Sequence, residues 1–254
     1  MKRFEHILLL VNDDAASWAA LKRATQLAWR HGARLSAVAF HEPERADEIA
    51  PGSWSIDARS LEMNAVIHEQ LDKRLEELVR PFRESGYRIS TATSIGSSLE
   101  VVTDMLREDP FDLLIKGPLE GAGQESPALG SSDRVLLESC PTPVWIEPAT
   151  SRENLHRVVA AMDPFGDLDS ALNQSILELA VSMAKRDGAD LEVIAGKQRL
   201  VATSRDPARI LEGLNPISEI SSDKARAESL NQQILDAARH CRPGLVVMGS
   251  SNEE

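Results

Sequence analysis

The feature that most constrains this chain is an internal repeat. Shifting the sequence by 156 positions places Leu21, Ala24, Ala28, Arg30, Gly32, Ala33 and Leu35 on Leu177, Ala180, Ala184, Arg186, Gly188, Ala189 and Leu191. Seven identities fall within fifteen positions, and two of them lie in a helix stop. Val158-Val159-Ala160-Ala161-Met162-Asp163 likewise repeats the apolar run Ile7-Leu8-Leu9-Leu10-Val11 and its polar end. At a shift of 132, Leu114-Ile115-Lys116-Gly117 meets Val246-Val247-Met248-Gly249. A repeat of this period means two similar folded units rather than one continuous core. Chance likeness between amphipathic helices is the competing explanation.

Within the first unit the pattern alternates. Short, wholly apolar runs read as strands buried on both faces, as in a parallel sheet. Ile7–Val11 is such a run; Leu35–Phe40, Phe111–Lys116 and Pro143–Glu147 read as further strands, and Tyr87–Thr93 alternates as a strand does. Helical spacing appears at Ala20–Ala28, stopped by Gly32, and at Ile67, Leu71, Leu75, Leu78 and Val79, where Pro81 should kink or end the helix. Leu99–Leu106 and Ser131–Ser139 supply two more helices. Strands alternating with helices predict a doubly wound α/β sheet. Residues 1–148 form one domain on this reading and 155–254 a second. The second is shortened near 196–220 and reaches Glu254 five residues after Gly249.

Net charge is −12, which argues against nucleic acid or an anionic membrane as partner. No apolar run approaches the ~18 residues of a membrane span, and no signal-peptide pattern opens the chain. Cys140 and Cys241 form no disulfide framework and no zinc-ligand spacing, which fits a reducing compartment and predicts a cytoplasmic protein. The six histidines show no metal-ligand spacing and read as surface or helix-end residues. No Walker A, GxSxG or GxGxxG motif is present, and no nucleophile–base set can be assembled. Asp13-Asp14 reads as a helix-start pair. The tryptophans read as packing or interface anchors, and Cys140 as a packed residue.

Three segments coincide: the first strand with its polar end, a fourth strand followed by a glycine loop, and Gly130-Ser131 before a short helix and Cys140-Pro141-Thr142-Pro143-Val144-Trp145. Together they resemble the universal stress protein family in its tandem two-domain form. Asp163-Pro164 and Ala171-Leu172-Asn173 look like the second-domain opening of that subgroup. The resemblance implies two Rossmann-like, adenine nucleotide alpha hydrolase-like domains of strand order 3-2-1-4-5, the second incomplete.

It also implies a site. Nucleotide-binding members carry G-x2-G-x9-G-[ST] after the fourth strand, where glycines admit phosphate and the following helix offers free N–H groups. Carried over, the candidates are Gly117, Gly121, Gly130, Ser131 and Ser132 for phosphates, and Asn12 or Asp13 near the ribose or a metal. Phe40 could lie against an adenine, or pack in the core. Asp163 and Gly249 are the second domain's remnants of the pattern. The chain departs from the motif. Glu120 stands at the middle glycine, Gly121 is displaced by one, Glu125 adds a second carboxylate, and Asn12 replaces an acid.

The functional expectation is a stress-response binding or regulatory module without turnover, with no obligate cofactor and no resident metal. Its partner would be a protein or small molecule. The sheet edge left by the incomplete second domain would be covered by packing of the two units and by self-association as a homodimer. The alternative is an adenine-nucleotide binder with slow hydrolase activity, using ATP with Mg. A metabolite-binding enzyme of the wider α/β class is a third reading.

Overall fold

Strand β1 (His6–Val11) is buried along its whole length, as its unbroken apolar run requires. In the computed structural model the described residues are 4–11, 15–42, 58–117, 130–149, 155–162, 170–195, 198–202, 206, 209–210, 232, 234–236 and 244–249. The chain divides into a unit of Arg3–Ser151 and a unit that includes Arg152–Glu254.

In the first unit, β1 is followed by α1 (Ala15–His31), β2 (Arg34–His41), α2 (Ala58–Glu84), β3 (Ser90–Ile95), α3 (Ser98–Glu108), β4 (Leu113–Lys116), α4 (Ser131–Ser139) and β5 (Val144–Ile146). The five strands are parallel in the order β3-β2-β1-β4-β5. One sheet face carries Leu8, Leu10, Val38 and Leu114 against Val101 and Val102 of α3 and Leu136 of α4. α1 and α2 pack on β1, β2 and β3. Side chains alternate between faces along a strand, so Lys116 shares Leu114's face and Ile115 takes the other.

Two elements differ from expectation. Of the two outcomes expected at Pro81, an end or a kink, the end does not fall there: α2 runs on to Glu84. Pro81 is exposed and lies in the last turn, so its missing N–H removes only one bond close to the end. Gly86 then turns the chain with φ 92°. Strand β3 starts at Ser90 rather than Tyr87. The Arg83 guanidinium takes Ile89 O through Nε and Nη2, at 3.2 and 2.7 Å, and Tyr87 N–H bonds back to Phe82 O. Those bonds hold 87–89 out of the ladder.

The second unit contains β6 (Arg157–Met162), α5 (Ala171–Asp187), β7 (Asp190–Ala195), β8 (Gln198–Ala202) and β9 (Leu245–Met248), in the order β8-β7-β6-β9. Several of its backbone bonds have counterparts in the first. Gly32 and Gly188 end α1 and α5 at φ 64° and 63°, and Ala33 and Ala189 N–H groups return to Ala28 and Ala184 O, both at 2.9 Å. Arg34 N–H bonds Glu5 O and Asp190 N–H bonds His156 O; Asp112 N–H bonds His6 O and Gly244 N–H bonds Arg157 O. β1 and β6 lie in separate sheets.

The expected all-parallel second sheet is corrected at one strand: β8 is antiparallel to β7. Parallel pairing needs a crossover of a dozen or more residues. Ala195 and Gln198 are separated by two, so only a hairpin is possible. The abbreviation read near 196–220 therefore removes the crossover between these strands.

Candidate functional site

In an open α/β sheet, ligands bind beyond the carboxyl ends of the strands where the strand order reverses. Here that point lies between β1 and β4, and four candidates on its walls are described: Gly117, Gly130, Ser131 and Ser132. Asn12, Asp13, Gly121 and Asp163 lie outside the described residues, as do Glu120 and Glu125. Gly117 is buried directly after β4, and Ser131 is exposed at the start of α4. Ser132 Oγ is enclosed with no hydrogen-bond partner among the described residues.

Two residues that the sequence did not single out dominate this end of the sheet. Lys116 closes β4 and Asp133 sits in the first turn of α4, and neither side chain is exposed. Lys116 Nζ donates to Asp133 Oδ1. Asp133 Oδ2 accepts the Gly130 N–H at 3.2 Å. A carboxylate of the chain thus occupies one helix-start donor and the nearby ammonium. These are the groups an incoming phosphate would seek. The signal was legible in principle, since an Asp three residues past a helix start suits a cap and the preceding strand ends in a Lys.

On the opposite face, Arg23 of α1 and Glu147 after β5 form a second buried pair at 3.1 Å. Trp145 Nε1 donates to Glu147 Oε2 at 2.6 Å, and the Arg23 guanidinium lies 5.6 Å from the Trp145 ring. Strand alternation places the Trp145 and Glu147 side chains on the face away from Lys116's, while the Glu147 N–H bonds Lys116 O at 2.9 Å.

The remaining candidates separate. Phe40 packs, half-buried, against the Leu8–Leu136 core cluster, which is the core alternative read for it. Gly249 follows β9, and a Cβ built on it would lie 2.9 Å from two Leu172 methyl carbons. An apolar side chain of α5 therefore covers the backbone where a second phosphate loop would begin.

His31 closes α1, a helix end as the sequence suggests, whereas His6 lies in β1 rather than at the surface. His6 and His31 are buried at 5% and 1% exposure. His6 Nδ1 donates to Pro110 O at 3.1 Å, which leaves Nε2 to accept from Ser36 Oγ at 2.9 Å. Cys140 is half-buried, and burial pushes its thiol pKa up. That is the opposite of what a reactive thiol needs. No group of His, Cys, Asp and Glu among the described residues could hold a metal ion. Among the described residues no helix is long and apolar enough to cross a membrane.

No curated protein sequence matches the chain. A functionally unknown protein from Pseudomonas aeruginosa PAO1 is 19% identical, with 98% of this chain and 74% of that chain covered and a TM-score of 0.54. A putative universal stress protein from Pseudomonas aeruginosa UCBPP-PA14 is 18% identical, with 98% and 75% covered and a TM-score of 0.50. Universal stress protein UspA from Lactobacillus plantarum is 21% identical over 58% of this chain and 99% of that chain, with a TM-score of 0.42. At these identities the first two show a shared fold. The sequence model of the Universal stress protein family matches residues 3–148. With more than half of its length matched and a five-stranded sheet in the order 3-2-1-4-5, the chain belongs to the universal stress protein family.

Proposed function

We propose that this chain is a cytoplasmic stress-response module that acts by binding, without turnover, and that self-associates. Its partner is a protein or small ligand, and its first unit does not take a nucleoside triphosphate in the manner of nucleotide-binding relatives. The observation that carries the reading is the Asp133 carboxylate on both Gly130 N–H and Lys116 Nζ. A triphosphate entering there would have to displace a buried carboxylate, and the loop sequence carries Glu120 and Glu125 with no Lys or Arg between Lys116 and Arg134. The lack of a nucleophile–base pair in the sequence supports the absence of turnover.

One observation favours the second reading, an adenine-nucleotide binder using ATP with Mg. Ser132 Oγ is buried without a partner among the described residues, and a buried hydroxyl ordinarily finds one. Titration calorimetry with ATP and magnesium separates the two. Silence supports the first reading. Binding tighter than about 100 μM that is lost in Gly130→Asp overturns it in favour of the second. Light scattering tests the self-association, and a 27.8 kDa monomer overturns that part.

A further inference from the structure

At the other end of the first sheet, where β2 and β3 begin, a cavity of about 860 Å³ opens to solvent. It lies far along the strands from Lys116 and Gly117, and it is built from the α1–β2 and α2–β3 turns and the end of α3. Arg34, Arg83, Tyr87, Arg88, Ser90 and Asp109 line it. Its volume is within the range of small-molecule sites.

The charges in it are held in fixed positions. Arg34 grips Asp109 with both Nη atoms, at 2.8 and 3.0 Å. Arg83 is fixed on Ile89 O, Glu76 and Thr91. Arg88 is exposed, and among the described residues it has no ion-pair or hydrogen-bond partner. Of the three arginines that line the cavity, Arg34 pairs with Asp109 and Arg83 with Glu76, so the Arg88 guanidinium is unmatched. One unmatched cation suits a monoanion. A dianionic phosphate would bring one more negative charge than this cation offsets.

One aromatic ring, that of Tyr87, lines the cavity with Arg88. Tyr87, the chain's one tyrosine, has no partner for its hydroxyl among the described residues. It meets Trp29 edge-on at 6.0 Å and Phe82 at 6.3 Å, and Phe82 meets Trp18 at 4.9 Å. These are four of the ten Phe, Tyr and Trp residues in the chain, and Trp29 is 73% exposed. Tyr87 lines the cavity together with the unmatched Arg88 guanidinium, and the two offer a surface for a flat ring that carries a negative charge.

We propose that this cavity binds a small aromatic carboxylate, its ring against Tyr87 and its carboxylate on Arg88. The site is separate from the β4–α4 loop, and the proposal stands or falls independently of nucleotide binding there. The test titrates the full chain with 2-naphthoate and with its neutral isostere 2-naphthamide, followed by calorimetry and backbone-amide NMR. Naphthoate binds at least about tenfold tighter than the amide, its shifts centre on 32–36 and 87–90, and Arg88→Glu removes the preference. Tyr87→Leu, which keeps an apolar contact on Phe82, weakens both ligands severalfold. Equal affinity for acid and amide, unchanged naphthoate binding in Arg88→Glu, shifts centred elsewhere, or no binding at millimolar ligand each overturns the proposal.

Discussion

Lys116 and Asp133 form an ion pair from which solvent is excluded on both sides, across the gap between the end of β4 and the first turn of α4. Removing one partner strands the other charge in the interior. Asp133→Ala should destabilise the first unit by about 3–5 kcal/mol. Lys116→Met combined with Asp133→Ala should cost clearly less than the sum of the two single changes, because neither charge is then left alone. Denaturant unfolding of the four proteins measures this. Strict additivity would show that the pair is not coupled.

The same pair predicts a gain of binding. In Asp133→Ser the Lys116 ammonium and the Gly130 N–H lose their internal anion. Inorganic pyrophosphate should then raise the melting temperature of this variant by more than it raises that of the wild-type chain. An equal response in both proteins would mean that Asp133 does not occupy an anion position.

Acid should weaken the cavity wall. The Arg34 guanidinium holds the Asp109 carboxyl below its usual 3.8, and Arg83 holds Glu76 below its usual 4.5. Each folded-state pKa is lower than the unfolded one. The stabilisation is therefore complete above the usual values and fades as pH falls through them toward the folded pKa. Both groups are solvent-exposed, so the effect is small. In thermal melts from pH 7 to pH 3, Asp109→Asn should lose a small part of the wild-type acid sensitivity. A variant with the same pH slope as wild type contradicts the assignment.

Cys140 should be a slow thiol. Burial raises its pKa, and the Thr142 backbone only partly offsets that. In a Cys241→Ser background, iodoacetamide should modify Cys140 more slowly at pH 7.5 than it modifies free cysteine, and modification should accelerate on unfolding. Reaction as fast as the free amino acid would point to an activated thiol.

Gly188 ends α5 in the left-handed region, at φ 63°, with nothing near an added Cβ. Gly188→Ala should therefore cost about 1–2 kcal/mol through backbone strain alone. Gly249→Ala meets Cγ and both methyl carbons of the 37% exposed Leu172 side chain, which can turn toward solvent, and should cost less. Urea unfolding followed at the second unit ranks the two, and the reverse order would contradict the backbone argument.

Much of this architecture was written in local patterns. The apolar runs of β1, β4 and β6 needed only their burial on two faces to be recognised. Gly32 and Gly188 marked helix ends because few other residues accept a positive φ. The start of β3 was misread because Arg83 binds Ile89 O, and such a contact leaves no mark in hydropathy. The direction of β8 depends on a two-residue connection, which the repeat concealed by suggesting a crossover. At the site, the glycine spacing drew the eye to Gly117 and Gly130. The controlling residues were the flanking Lys116 and Asp133, whose meaning emerges only when strand and helix meet.

The β7–β8 hairpin bears on the order of assembly. Closing a two-residue loop is a local event, whereas pairing β2 with β3 must wait for the chain from His41 to Ser90 to be gathered and α2 to dock. One outer strand of the second sheet can thus form on its neighbour without any help from a helix, so the shorter unit has a kinetic nucleus that the longer one lacks.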